Sequence, residues 1–154
     1  MRQTHELCEL SYRLVRIMLN VSAALFLLDA LIALSMGARY LARGDFLPYQ
    51  AHATGRSVAD LDPGLRVVVL AMLKVIGGGF LASGVMALGL DALLWSGERL
   101  AGYVFAAGAT ALLVPAYIAA SKVNVQSPGA NAPTRLALAA AALTALALIA
   151  LLAS

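Results

Sequence analysis

Four long apolar runs, separated by more polar connections, dominate the sequence. They lie at about 14–36, 65–95, 100–120 and 133–153. A helix that crosses a bilayer needs about 20 mainly apolar residues, and each run has that length. The apolar core of a secretory signal is shorter, about 7–15 residues, so we interpret the first run as a retained span. The pattern predicts an all-α integral membrane protein, a bundle of four transmembrane helices that forms a single membrane domain over residues 1–154.

The connections between the runs predict where the helices begin. Residues 37–64 are too many for a structureless loop in a compact domain, so we expect this first loop to be partly ordered as an interfacial helix around "ARYLARGDFLPY". The short "SGERL" connection forces the second and third helices into a tight antiparallel hairpin. Asp62 before Pro63 is a typical helix start, and Asn131 before Pro133 predicts a similar start for the fourth helix.

The composition supports a membrane environment and excludes several other classes. Hydrophobic residues make up 62% of the chain and charged residues 12%, against about 45–50% and about 25% in soluble domains. The net charge of +3 is too small and too scattered for a nucleic-acid-binding surface. The chain has one cysteine and two histidines, which excludes an intrachain disulfide and leaves no basis for a metal cage. We therefore expect a lipid bilayer as partner, no nucleic acid, no metal and no cofactor.

The localisation follows from the same features. A bias towards arginine, alanine, glycine and leucine is typical of GC-rich bacterial genomes, so we expect an integral protein of the bacterial cytoplasmic (inner) membrane. Four arginines lie on the side of both termini, and six arginines and lysines lie on the side of the first and third loops. Because the positive residues are so evenly divided between the two sides, the positive-inside rule leaves the membrane orientation open.

Two charged residues inside the apolar runs stand out as candidates for an ion pair. Asp29 lies seven residues before the end of the first run, and Lys74 lies nine residues after the start of the second. In antiparallel neighbours both would lie at similar depth, and an ionisable residue there needs a partner. A lysine that reaches the interface on its own is the favoured interpretation, and a pair of Asp29 with Lys74 is the alternative. For such a pair, a structural role ranks ahead of proton relay or substrate recognition.

Small residues in the second and third runs predict close helix packing. Gly77 and Gly78 follow Lys74 on its own helical face. Gly79 with Ser83, and Gly102 with Ala106, have the spacing that lets two helix backbones approach closely. A phosphate-binding loop would need a strand-to-helix turn, which this pattern lacks.

Three other polar residues are candidates of lower rank. Asp91 lies near the end of the second run, and we expect it to reach the interface near Arg99. Tyr49 suits the membrane interface. His52 is a candidate because histidine is the residue type that can change its charge near neutral pH, although a lone histidine is more often a hydrogen-bonded structural residue.

The stretch "FLPYQAHATG", followed by "LDPGLRVVVLAMLKVIGGGFLASG" and a fourth helix opened by "APTR", resembles an uncharacterised family of small four-helix bacterial membrane proteins. That family has an F-x-PY-x-x-x-A-x-G loop before a glycine-rich second helix. The resemblance covers most of the chain through the second helix. The family often has histidine directly after Pro-Tyr, where this chain has Gln50, with His52 two positions later. The resemblance implies a fold and no activity.

Because the strongest signals are packing signals, the sequence favours a non-enzymatic assembly or interaction protein that forms a homo-oligomer or binds a membrane-protein partner. The alternative is small-molecule binding or proton-linked transport through the bundle, using Asp29, Lys74 and His52. In that respect the chain resembles the small multidrug resistance transporters, which carry a glutamate in their first helix. A membrane enzyme is disfavoured, because the chain has no nucleophile–base pair and no clustered Arg, His and Glu motif.

Overall fold

The computed structural model describes residues 2–154, with side chains from Glu9 onward, and this part of the chain is helical without strands. Its α-helices are α1 (Arg2–Ala42), α2 (Pro48–Thr54), α3 (Pro63–Trp95), α4 (Arg99–Gln126) and α5 (Thr134–Leu152), and a 3₁₀ turn lies at Val58–Asp60. Four of them, α1, α3, α4 and α5, are long and apolar enough to cross a membrane. The predicted set of four apolar helices is therefore confirmed.

The four long helices differ in how closely their ends match the predicted apolar runs. Both α3 and α5 match the apolar runs within two residues at each end, whereas α1 begins twelve residues earlier and ends six residues later than predicted. Likewise α4 continues past Pro115 to Gln126. Hydropathy detects the apolar part of a helix, and it misses polar turns that continue the same backbone hydrogen bonding.

The long helices run antiparallel to their neighbours along the chain. Helix α1 packs along both α3 and α5, whereas α4 packs mainly against α5 and α3 and has little contact with α1. We call the end that carries the connections 43–62 and 127–133 the loop end. The opposite end, with the 96–98 connection and Ser154, is the turn end.

Glycine allows α1 and α3 to approach closely at the loop-end half of the bundle. A Cβ atom at Gly37 would lie 2.7 Å from the Leu81 backbone nitrogen, and one at Gly84 would lie 2.6 Å from the Leu34 side chain. Neither gap can hold a methyl group, so the helix contact depends on both glycines.

The main core lies where α1, α3, α4 and α5 meet towards the turn end. The rings of Phe26 and Phe105 stack there with centroids 4.4 Å apart. The buried apolar residues of this core are Ala23, Phe26, Ala30, Leu94, Phe105, Ala106, Ala147 and Leu151. A second, smaller core at the loop end consists of Tyr40, Leu47 and Leu73.

The first loop is partly ordered, as expected, but its helix lies later in the chain than "ARYLARGDFLPY". The residues before Arg43 belong to α1, and the separate short helix is α2. Two backbone amides, those of Phe46 and Val58, donate to Asp45 Oδ1 at 2.7 and 2.8 Å. The pKa of Asp45 is lowered by these two hydrogen bonds, that from Val58 first. This carboxylate therefore joins the two ends of the ordered segment.

One predicted helix start is confirmed and the other is wrong. Asp62 caps α3, accepting a hydrogen bond from the Gly64 amide at 3.2 Å. Asn131 does not cap α5, because its backbone takes the left-handed conformation with φ of 51° and its amide donates back to Gly129 O. Helix α5 begins later, at Thr134.

Candidate functional site

The structure does not bring Asp29 and Lys74 together. The Lys74 ammonium donates to the carbonyl oxygens of Leu41 and Arg43, the latter at 2.8 Å, at the C-terminal end of α1. Because α1 extends six residues beyond Met36, Lys74 lies level with the end of α1 and not with Asp29. A cation at a helix C-terminus satisfies carbonyl groups that have no partner within the helix. Lys74 is thus a cap for α1, which contradicts the alternative of a pair with Asp29.

Asp29 is instead hydrogen-bonded to α5. Its Oδ2 accepts from the Thr144 hydroxyl at 2.6 Å, and only 7% of the Asp29 residue surface is exposed. The other carboxylate oxygen, Oδ1, is buried without a hydrogen-bond partner among the residues that the structure describes. Buried polar atoms of native proteins are nearly always paired, so an exception of this kind marks a candidate binding group.

A cavity of about 210 Å³ lies beside Asp29, between α1, α3 and α4. Asp29 and Ser83 are the polar residues among the described residues that line it, and the Ser83 hydroxyl already donates to Gly79 O of its own helix. The remaining lining is apolar, with contributions from Met36, Phe80, Met86, Leu90, Val104, Phe105, Gly108, Leu112 and Leu113. The cavity is therefore an apolar space with the Asp29 carboxyl group at its wall.

Asp29 lies halfway along the bundle. Its partner Thr144 stands ten residues after the first residue of α5 and eight before the last. Helix α5 is about 29 Å long at 1.5 Å per residue, close to the thickness of a bilayer's hydrocarbon core. The cavity thus lies near the middle of the shortest of the four long helices.

Asp91 is also buried, which corrects the expectation that it reaches an interface near Arg99. Only 4% of its surface is exposed, and its Oδ2 accepts from the Trp95 indole at 3.1 Å. Its Oδ1 has no partner among the described residues. Arg99 donates to the Ser154 carbonyl oxygen at 2.6 Å instead. Asp91 follows Gly77 and Gly84 at seven-residue intervals, which places it on the same face of α3.

Tyr49 and His52 lie on α2 at the loop end and take no part in the cavity. The hydroxyl groups of Tyr49 and Tyr40 are hydrogen-bonded at 2.7 Å. Burial raises the pKa of Tyr49, and the bond to Tyr40 raises it further. His52 Nε2 lies 3.2 Å from the position that a Cβ atom would take at Gly129. The hydrogen bond between the two tyrosines joins α2 to α1, and His52 lies close to Gly129.

The five predicted packing residues occupy different environments. A Cβ atom at Gly77 would lie 2.9 Å from Tyr40 Cβ, and one at Gly102 would lie 2.6 Å from the Leu151 side chain. Both glycines therefore lie at helix contacts. Gly78 and Gly79 have no atom within 4 Å of such a position, and Ser83 lines the cavity.

Several residues of the site were not predicted from the sequence. Thr144 had one usable signal, because it is the only polar residue between Arg135 and the end of α5. Gly108 and the apolar lining residues had none, since their facing direction is ambiguous in helices rich in alanine and leucine. Among the described residues no group of three or more His, Cys, Asp or Glu side chains is arranged to hold a metal ion.

No family model, curated protein or solved structure matches this chain.

Proposed function

We propose that this protein is an integral membrane protein that binds a small lipophilic cation in the cavity beside Asp29. The observation that carries the proposal is the Asp29 Oδ1 atom, which is buried without a partner among the described residues and belongs to a residue that lines an apolar cavity. An ionised carboxylate is costly in apolar surroundings unless a cation or a proton neutralises it. A cationic ligand would supply the missing partner.

The chemistry of the lining defines the ligand class. Apolar side chains and the aromatic residues Phe80 and Phe105 favour a hydrophobic body and tolerate a positive charge. A cavity of about 150 Å³ accommodates a benzene-sized molecule, so a cavity of about 210 Å³ fits an organic amine with one ring or short alkyl chains. Exchange of such a cation for a proton on Asp29 would link binding to pH and is the route from binding to transport.

Lys74 and His52 do not belong to this site. Lys74 binds the C-terminal carbonyl groups of α1, and His52 lies on α2 beside Gly129. The proposal therefore keeps one of the three residues expected for a binding or transport protein. The location in a bacterial inner membrane and the membership of an uncharacterised family stay predictions.

The direct test is the binding of benzyltrimethylammonium, measured by calorimetry on the purified protein in detergent. Neopentylbenzene, which replaces the charged nitrogen by carbon, is the matched neutral probe. The wild type should bind the cation more tightly, and Asp29→Asn should weaken cation binding about tenfold or more, the effect expected for a hydrogen-bonded or paired charge. Equal binding of both probes, or an unchanged affinity in Asp29→Asn, would contradict the proposal.

A second variant tests the cavity without touching the carboxylate. Gly108 lines the cavity and has no atom within 4 Å of a Cβ position, so Gly108→Leu should fill the space and abolish cation binding while the protein stays folded. Gly79→Leu is the control, because Gly79 has the same free space but does not line the cavity. Cation binding that survives Gly108→Leu would place the ligand elsewhere.

Self-assembly is the second candidate function. Gly78 and Gly79 lie on α3 with open space where a Cβ atom would be, so another helix could approach this surface closely. However, Gly77 and Gly102 are already used in contacts within the chain, which removes part of the sequence-based support for assembly. If α3 forms an oligomer there, Gly79→Leu should reduce the native mass to that of the monomer, and Gly108→Leu should not.

A further inference from the structure

A second, more polar groove lies at the turn end, about half the bundle away from Asp29. It has a volume of about 470 Å³ and separates the first half of α1 from the connection between α3 and α4. It is lined by Tyr12, Arg16, Leu19 and Asn20 of α1 and by Leu94 and Trp95 of α3. Nothing in the proposed cation site requires this groove, so it needs its own explanation.

The polar groups of the groove are arranged in a row on α1. Tyr12, Arg16 and Asn20 follow one another at intervals of four residues, which places them on one helix face. Trp95 lines the groove from α3, and 52% of its residue surface is exposed. Leu19 and Leu94 supply apolar surface. The groove therefore combines a cation, an amide, two aromatic rings and an apolar part.

Among the described side chains of this end, Arg16 is the cation that lacks a partner. Arg13 pairs with Glu9 at 2.7 Å, and Arg99 donates to the Ser154 carbonyl oxygen. Arg16 makes no hydrogen bond or ion pair with the residues that the structure describes from Glu9 onward. A guanidinium group with a free fork of donors is well suited to bind a phosphate group.

The depth of the groove follows from the alignment of α1 with α5. The Ser22 hydroxyl donates to Ala147 O at 2.8 Å, which aligns α1 with α5. Arg16 lies six residues before Ser22, and α5 ends five residues after Ala147, so Arg16 lies level with the end of α5. In a membrane-spanning bundle this is the headgroup region, where tryptophan and tyrosine are enriched.

We propose that this groove binds an anionic phospholipid, with Arg16 on the phosphate and an acyl chain along Leu19 and Leu94. The charge of Arg16 provides the preference for an anionic headgroup over a zwitterionic one. Asn20 adds a polar contact one turn deeper, and the Trp95 ring adds aromatic surface at the level of the headgroup. The apolar part distinguishes a lipid from free phosphate, which would gain nothing from Leu19 and Leu94.

The test compares three purified proteins: the wild type, Arg16→Gln and Arg13→Gln. Arg13 is the matched control, because it lies on the same helix one turn away, carries the same charge and already has Glu9 as partner. Thermal stability in detergent is measured with added short-chain phosphatidylglycerol, short-chain phosphatidylcholine or inorganic phosphate.

The wild type and Arg13→Gln should bind phosphatidylglycerol about fivefold more tightly than phosphatidylcholine, the effect of one arginine near an anionic headgroup. Arg16→Gln should lose this preference, and inorganic phosphate should give no shift at the same concentration. Stabilisation by inorganic phosphate equal to that by the lipid, or a preference that persists in Arg16→Gln, would overturn the proposal.

Competition between the two lipids, observed by native mass spectrometry of the wild type, decides the same point without any variant. Retention of phosphatidylglycerol in preference to phosphatidylcholine supports the site. Equal retention of both lipids overturns it.

Discussion

At the residue scale, single polar side chains determine which connections are ordered. Asp45 accepts from the amides of Phe46 and Val58, and Asp60 accepts from the Ser57 amide at 2.8 Å. The pKa of each carboxyl group is lowered, in Asp60 first by the backbone hydrogen bond of Ser57. Hydrogen bonds to the ionised form account for both shifts.

The lowered pKa of Asp45 predicts how the first loop responds to acid. A carboxylate whose pKa is lower in the folded state stabilises that state above its ordinary pKa of about 3.9, and this contribution is lost as the pH falls through the folded pKa. NMR in detergent micelles should therefore show the Phe46 and Val58 amide resonances unchanged from pH 7 to pH 5 and shifting together below pH 4.

Asp45→Asn provides the comparison, because it removes the titrating group and keeps the size of the side chain. In this variant the Val58 amide should exchange faster at neutral pH, and the joint shift below pH 4 should disappear. A midpoint at or above the ordinary aspartate value in the wild type would contradict the hydrogen-bonding assignment.

At the element scale, the length of α1 is set by a contact that lies far away in sequence. Lys74 of α3 binds the carbonyl groups of Leu41 and Arg43, so the last turns of α1 are held by another helix. The second contact of this end is the Gly77 backbone against Tyr40 and Leu41. Helix α1 therefore continues beyond its apolar run because α3 packs on its end.

Replacement of Lys74 should loosen the end of α1. Lys74→Met keeps the apolar stem and removes the donors, so we expect a loss of about 1 kcal/mol of stability, the usual size of a helix C-terminal charge interaction. Hydrogen exchange measured by mass spectrometry should rise in residues 38–43 and stay unchanged near Asp29.

Lys122→Met is the control for Lys74→Met. Lys122 is the other lysine of the chain, is exposed, and makes no hydrogen bond with the described residues. An equal rise in exchange for both variants, or a rise near Asp29 in Lys74→Met, would contradict the capping role and revive a coupling of Lys74 to Asp29.

These elements also show how far the sequence could predict the structure. The four apolar helices could be predicted from the sequence, because a run of about 20 mainly apolar residues is typical of a membrane-spanning helix and of few other structures. The partner of Asp29 could not be predicted, because the runs of alanine and leucine in α5 do not define which face of α5 packs against α1. Thr144 became the partner only through the register of α1 and α5, which the Ser22–Ala147 contact also reports.

At the scale of the whole molecule, the four long helices are unequal in length. Helix α1 has 41 residues and α5 has 19, which correspond to about 62 and about 29 Å. Since the Ser22–Ala147 contact aligns the two helices, the first third of α1 extends beyond the turn end of the bundle. In a bilayer this segment would lie outside the hydrocarbon core.

The same alignment predicts which positions of α1 water can reach when the protein is in a bilayer. Leu10 and Leu28 are both well exposed, with 60% and 48% of their residue surface accessible, so neither is shielded by the protein itself. Leu10 lies beyond the end of α5, whereas Leu28 lies next to the Asp29 level. In proteoliposomes a membrane-impermeant maleimide should label Leu10→Cys and leave Leu28→Cys unlabelled, with both variants made in a Cys8→Ser background.

After unfolding in detergent both cysteines should react equally, which is the control for thiol reactivity. Labelling of Leu28→Cys as fast as Leu10→Cys would contradict a bilayer around the bundle, and with it the lipid-level positions of both the Asp29 cavity and the Arg16 groove.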